Sequence, residues 1–176
     1  KINLKDDEAG IFDENNFEKV FENDLKKAKK SIVIFSAFCT EKRTAFWGDV
    51  LRQKKEEGLK IRVVTRGPVN QGPLKDTATL GIKSLIKLKI NVDLRKEIHQ
   101  KMVFIDDNIL WYGSLNVLSY SGKSTQAETI MKIVSKAMAT RAAKNLIYKS
   151  QSLDVEKDKK INVLSILAER ENRDCE

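Results

Sequence analysis

"HQKMVFIDDNILWYGSLN", residues 99–116, decides how this chain is read, and it holds the only histidine, His99. Side chains alternate along an extended strand, so His99 and Lys101, two apart, point to one face. Met102, Val103, Phe104 and Ile105 form an apolar run that reads as a strand buried in a sheet. "KMVFIDD" (101–107) and "ILWYGS" (109–114) then make a hairpin around Asp107-Asn108. The polar residues His99, Lys101, Asp106, Ser114 and Asn116 fall at strand ends, where a buried sheet opens to solvent and a rigid core can present a site.

Upstream, "SIVIFSAF" (31–38), "KIRVVTR" (60–66) and "INVDLR" (90–95) are apolar and β-branched and read as strands. Phe17, Val20, Phe21, Leu25 and Ala28 recur at helical spacing over 14–29. Residues 43–58 read as a helix stopped by Gly58, and 76–88 as another. "GPVNQGP" (67–73) is a loop by its glycines and prolines. Downstream, "ETIMKIV" (128–134) is a strand and 135–152 a helix. Strands alternating with helices predict parallel pairing through helical crossovers. The expected fold is therefore α/β, a mixed, mostly parallel β-sheet flanked by helices on both faces, formed by one domain over 1–152. The charged tail, 153–176, repeats Ile161, Leu164 and Leu167 at helical spacing and reads as a docking helix or as an arm that contacts another chain or domain.

Hydrophobic residues make up 41% and charged residues 33% of the chain, a globular rather than a disordered composition. No apolar run is long enough to span a bilayer, and there is no signal-peptide pattern or convincing amphipathic anchor. Stable membrane association is therefore not expected. The first residue is Lys1, which reads as a processed chain or a fragment of a larger protein. Cys39 and Cys175 are far apart, which fits a reducing, cytoplasmic setting. With one histidine beside them, neither a metal site nor a cofactor is expected. The net charge of +8 and the pI near 9.4 suit anionic partners, of which nucleic acid is the commonest. A solubilising surface would account for the same charge: Lys26, Lys27, Lys29 and Lys30 close a helix, where cations suit the dipole.

The spacing His99-x-Lys101, four residues, Asp106, six residues, Gly113-Ser114 resembles the HKD signature of the phospholipase D superfamily. Asn116, in "GSLN", also matches, and Glu128 stands about where that family often has a glutamate bound to the catalytic histidine. "SIVIFSAF" and "IRVVTR", with the helices between them, resemble the first half of a single-motif member. Residues 99–121 resemble in particular the phospholipase D-type module at the carboxyl end of some bacterial superfamily I helicases. Restriction-type nucleases carry similar modules.

The resemblance implies metal-independent cleavage of a phosphodiester. His99 would attack phosphorus to give a phosphohistidine, and a second histidine would protonate the leaving oxygen and then activate water. Lys101 and Asn116 would bind the non-bridging oxygens. Glu128 would hold the imidazole tautomer, Ser114 would support the phosphate, and Asp106 would fix the motif's local structure. One chain supplies one histidine, so the resemblance implies a homodimer with a shared site. The implied activity is that of a DNA endonuclease, with a helicase domain in the same polypeptide as a further partner. A lipid phosphodiesterase and a non-catalytic nucleic-acid-binding module of a helicase are the alternatives. Arg43 and Arg66 follow predicted strands at one sheet edge and are candidate phosphate contacts. Trp111 and Tyr112 are candidates for base stacking, although Trp111 alternates with apolar positions as a core residue does. "GKS" (122–124) lacks the first glycine and the strand of a phosphate loop and is not read as one.

Overall fold

A computed structural model describes residues 8–120 and 127–153. The elements run β1 (Glu8–Asp13), α1 (Phe17–Lys27), β2 (Ser31–Ser36), α2 (Glu41–Glu56), β3 (Lys60–Arg66), α3 (Lys75–Lys87), β4 (Asn91–Arg95), β5 (Lys101–Ile105), β6 (Ile109–Gly113), β7 (Thr129–Val134) and α4 (Lys136–Leu153). Two short 3-10 turns, Pro68–Asn70 and Gly72–Leu74, occupy the Pro/Gly loop. "GKS" and the tail beyond Leu153 lie outside the described residues.

The strands form a seven-stranded sheet in the order β1-β7-β6-β5-β2-β3-β4. The mixed α/β sheet with helices on both faces is as expected, but the expected parallel majority is corrected. Only β2–β3 and β3–β4 pair in parallel, while β1–β7, β7–β6, β6–β5 and β5–β2 are antiparallel. The β5–β6 hairpin docks on β2, and β7 extends it as a meander, so each added neighbour runs the other way. β1 is the element the sequence did not announce. Its six residues, "EAGIFD", carry two acids and a glycine, and only pairing with β7, remote in the chain, makes it a strand.

Alternation along the strands sorts the core into two layers. On one face Ile32, Ile34, Val103, Ile105 and Trp111 pack with Phe17, Phe21 and Leu25 of α1, Trp47 and Leu51 of α2, and Ile82 and Leu85 of α3. Phe21 meets Trp47 and Trp111 edge-on, with ring centroids at 5.1 and 5.4 Å. The opposite face sets Phe104 and Leu110, with Val33 and Phe35, beneath Ala139, Ala142, Ala143 and Leu146 of α4. Trp111 is fully buried, its indole N–H donating to the Asp24 carboxylate at 3.0 Å, and it is a core residue.

Register gathers the loops that matter. Ser36 stands opposite Lys101, Arg66 opposite Arg95, Gly113 opposite Ile130 and Asp13 opposite Thr129. The carboxyl ends of β1, β2, β3, β4 and β6 and the amino ends of β5 and β7 therefore share one rim of the sheet. The β5–β6 turn lies at the other rim.

Candidate active site

His99 leaves the short segment between β4 and β5 as an exposed side chain. Lys101 opens β5, and its ammonium donates to the His99 carbonyl at 3.3 Å. Arg66 ends β3 and comes to the same place, with Nη2 at 3.2 Å from His99 Nε2 and 3.4 Å from Nδ1. A guanidinium only donates, so the imidazole can take part only as the acceptor. The guanidinium is held from two further sides: its Nε donates to the Ile98 carbonyl at 3.0 Å, and its carbon lies 4.9 Å from the centroid of Phe38.

Gln71 is a contributor that sequence reasoning missed. It is buried, accepts from the Cys39 amide at 2.9 Å and donates to the Arg66 carbonyl at 2.7 Å. It thereby ties the loop after β2 to the strand that carries Arg66. An amide inside a Pro/Gly loop looks like a solvated turn residue, so composition gives no sign of this role. Cys39 beside it is no nucleophile, since burial pushes its thiol up to about 12.

Asn116 sits in the loop after β6. Its carbonyl accepts from the Ser119 and Tyr120 amides at 3.1 and 2.9 Å, which closes a turn. The next carbonyl, that of Val117, accepts from Trp47 Nε1 at 3.0 Å and Arg43 Nε at 3.4 Å. The loop is thus pinned to α2 while Asn116 Oδ1 is buried with no partner among the described residues. A buried amide oxygen without a partner is costly, and it marks a place where another polar group fits.

Gly113 lets β7 approach: a Cβ there would run into the Thr129 carbonyl oxygen and lie 2.7 Å from Ile130 Cα. Ser114 then spends its hydroxyl on β7, accepting from the Thr129 amide at 3.1 Å and donating to its carbonyl at 3.4 Å. Glu128 precedes β7 at the same rim, two strands from β5 and so about 10 Å away at the backbone. The Glu14 carboxylate accepts from its amide at 3.2 Å. Among the described residues Glu128 makes no hydrogen bond to His99.

Two sequence candidates stand apart. Arg43 does not follow a strand into solvent. Thr40 caps α2 by accepting from the Arg43 amide, so the helix starts at Glu41 and turns Arg43 inward. It is buried, paired with Glu18 at 2.6 Å and set 4.5 Å from the Phe46 ring. Its role as a phosphate contact is withdrawn: it holds the Asn116 loop through Val117.

Asp106 lies at the far end of β5, about 16 Å along the strand from Lys101. Its carboxylate accepts from the amides of Lys29, Lys30 and Ser31 at 2.7, 2.6 and 3.0 Å, which fixes the α1–β2 connection. Asp106 and Asp107 both have positive φ (53° and 57°), and the Asn108 amide donates to the Ile105 carbonyl, as in a type I′ turn. Asp106 is a structural member of the motif and does not join His99. Burial alone would raise its pKa, but the three backbone N–H groups outweigh that and hold it below the usual carboxylate range. A lowered native pKa adds stability that is complete above about pH 4 and is lost as pH falls through the native value. Asp106→Asn, which tolerates the positive φ, should cost about 1–3 kcal/mol in urea denaturation at neutral pH. The gap from wild type should close as the buffer is taken into acid, and a gap independent of pH would refute this account.

Comparison with known proteins gives the family and the fold. Residues 21–148 match the family described as "Cardiolipin synthase, PLD-like domain", and the chain belongs to that phospholipase D-like family. Among solved structures it is similar to Nuc from Salmonella typhimurium, a phospholipase D family member (TM-score 0.63, 15% identity, 79% of this chain and 91% of that one). It is also similar to NucT from Helicobacter pylori (TM-score 0.63, 19% identity, 84% and 96%). A third is the phosphatidylserine synthase of Haemophilus influenzae (TM-score 0.57, 16% identity, 80% and 38%). A search of curated proteins returns no match. At these identities the structural likeness establishes the fold, and no more.

Proposed function

We propose that the chain is a metal-independent phosphodiesterase that cleaves DNA through a phosphohistidine, with each site completed by a second copy. The observation that carries this reading is the convergence of His99, Lys101 and Arg66 on the rim that also holds the Asn116 loop. A phosphodiester placed there would draw Arg66 off the imidazole and leave a bare nitrogen facing phosphorus. Lys101, Arg66 and the Asn116 amide would bind the non-bridging oxygens, where charge builds in the transition state. Glu128, at the same rim, would take the other imidazole nitrogen and set the tautomer. Ser114 supports the site by holding β7 against β6. The site lacks a second histidine, which the two-step mechanism needs as the acid and then the base. The net charge of +8 supports a polyanionic substrate. The likeness of residues 99–121 to helicase-borne modules supports a motor domain in the same polypeptide.

Single- and double-stranded DNA incubated with the purified chain in excess EDTA at low salt should be cleaved, and raising salt should weaken binding steeply. Cleavage that needs added magnesium would refute the mechanism. A lipid phosphodiester is the second reading, favoured by the family's description and by apolar side chains exposed beside the sheet, Ile11 and Met138 among them. Turnover of phospholipid vesicles with DNA left intact would establish it in place of the first.

A further inference from the structure

Helix α4 carries four basic residues and no acid between Lys136 and Leu153. Its inner side packs on the sheet through Ala139, Ala142, Ala143 and Leu146. At 100° per residue, Lys136, Arg141 and Lys144 fall within about 140° on the outer side. All three are exposed, and none pairs with a described residue. Helix stability does not explain the pattern. Lys136 stands in the first turn, where the dipole disfavours a cation, and that turn holds no acid. Arg141 and Lys144, three apart, are neighbours of like charge. Some cations elsewhere have an acid beside them, as in Lys26–Glu22, Lys54–Glu57 and Arg62–Asp93, whereas α4 offers its three none. A local rule broken repeatedly on one surface points to a ligand.

We propose that the outer face of α4 is a binding surface for a nucleic-acid backbone, with successive phosphates on Lys136, Arg141 and Lys144. This rests on the nucleic-acid reading of the active site and gives it a second contact region. The rise from Lys136 to Lys144 is about 12 Å, enough for two to three phosphates of one strand. The helix begins at the rim opposite the site and runs back over the sheet, so a strand lying on it is directed toward the site rim. Tyr112 is exposed on the same side of the sheet, two residues before Ser114, and offers a ring on which a base can stack. A membrane surface would answer to the charge alone, but a strand accounts for both the charge and its direction toward the rim.

The test is binding of a fluorescein-labelled 30-mer duplex across a salt series, measured in a His99→Ala background so that the DNA stays intact, with and without K136Q/R141Q/K144Q; the hydrolysis control uses the same proteins with His99 intact. The variant should bind at least about tenfold more weakly near 0.1 M salt. Its log K–log salt slope should be shallower by about 2 to 3, close to 0.9 for each phosphate no longer neutralised. K136R/R141K/K144R should keep both affinity and slope. Hydrolysis of bis(p-nitrophenyl) phosphate, which is too small to reach α4, should be the same in all three proteins and shows that the triple variant is folded. An unchanged DNA slope in the Gln variant overturns the surface and leaves the active-site reading standing. Hydrolysis of the small diester by wild type with no salt-dependent DNA binding by His99→Ala overturns the nucleic-acid reading, and the surface with it. Weaker binding of the Gln variant to phosphatidylglycerol vesicles but not to DNA assigns the face to a membrane and also refutes the proposal.

Discussion

His99→Ala should abolish phosphodiester turnover, by at least about 10⁴-fold, while leaving the fold intact. The side chain is exposed, and its ring hydrogen bonds go to Arg66, so little packing is lost. The chemistry has no substitute among the described residues, because the chain has one histidine and Cys39 is buried and protonated. Unchanged far-ultraviolet dichroism and melting temperature must accompany the loss, and a variant that unfolds would return His99 to the status of a structural residue. Mixing extends the test. In a shared site, replacing wild-type chains by inactive His99→Ala chains at constant total concentration should make activity fall as the square of the wild-type fraction, since a mixed dimer has one histidine for two roles. Once chain exchange is verified with labelled protein, a fall in simple proportion would mean that each chain works alone.

The second large effect lies in the core. Asp24→Ala should cost about 3–5 kcal/mol. The carboxylate is only 4% exposed and accepts from Trp111 Nε1 and from Lys132 Nζ, each at 3.0 Å. Removing it leaves an ammonium and an indole N–H facing apolar walls, with the Lys132 side chain only 18% exposed. Urea denaturation should show the midpoint moving far down. Asp24→Leu combined with Lys132→Met should recover much of the loss, because burying neither charge is better than burying one alone. A single-variant cost below about 1 kcal/mol would show that water reaches the pair.

How much of this was legible depends on the range of the interactions. The strands around Ile34, Val63 and Val103 and the helices through Phe21 and Leu85 follow from periodicity, because each buries a face whose spacing its own sequence sets. The nucleus of the candidate site is equally local. His99 and Lys101 share a face because strands repeat every two residues, and the Gly113–Asn116 run sits at the end of the hairpin partner.

Other features depended on residues far apart in the chain. β1 exists because β7 offers it an edge, and nothing in "EAGIFD" announces that edge. Arg43 and Arg66 look alike in sequence, each a basic residue near the end of a strand. Only the capping of α2 at Thr40 turns Arg43 onto Glu18 and Val117, while the Gln71 bridge and the Phe38 ring hold Arg66 at His99. Asp106 is a motif member by spacing, yet β5 carries it to the opposite rim, where three backbone amides claim it. The sequence by itself determined most of the strands and helices and the spacing of His99, Lys101, Asp106 and Gly113, since both are written in intervals of two to seven residues. Tertiary structure alone decided the antiparallel majority, the separation of Asp106 from His99 and the partners of the two arginines. Those depend on which strand edges and carbonyls meet after the chain has closed loops of tens of residues, and local spacing carries no information about that.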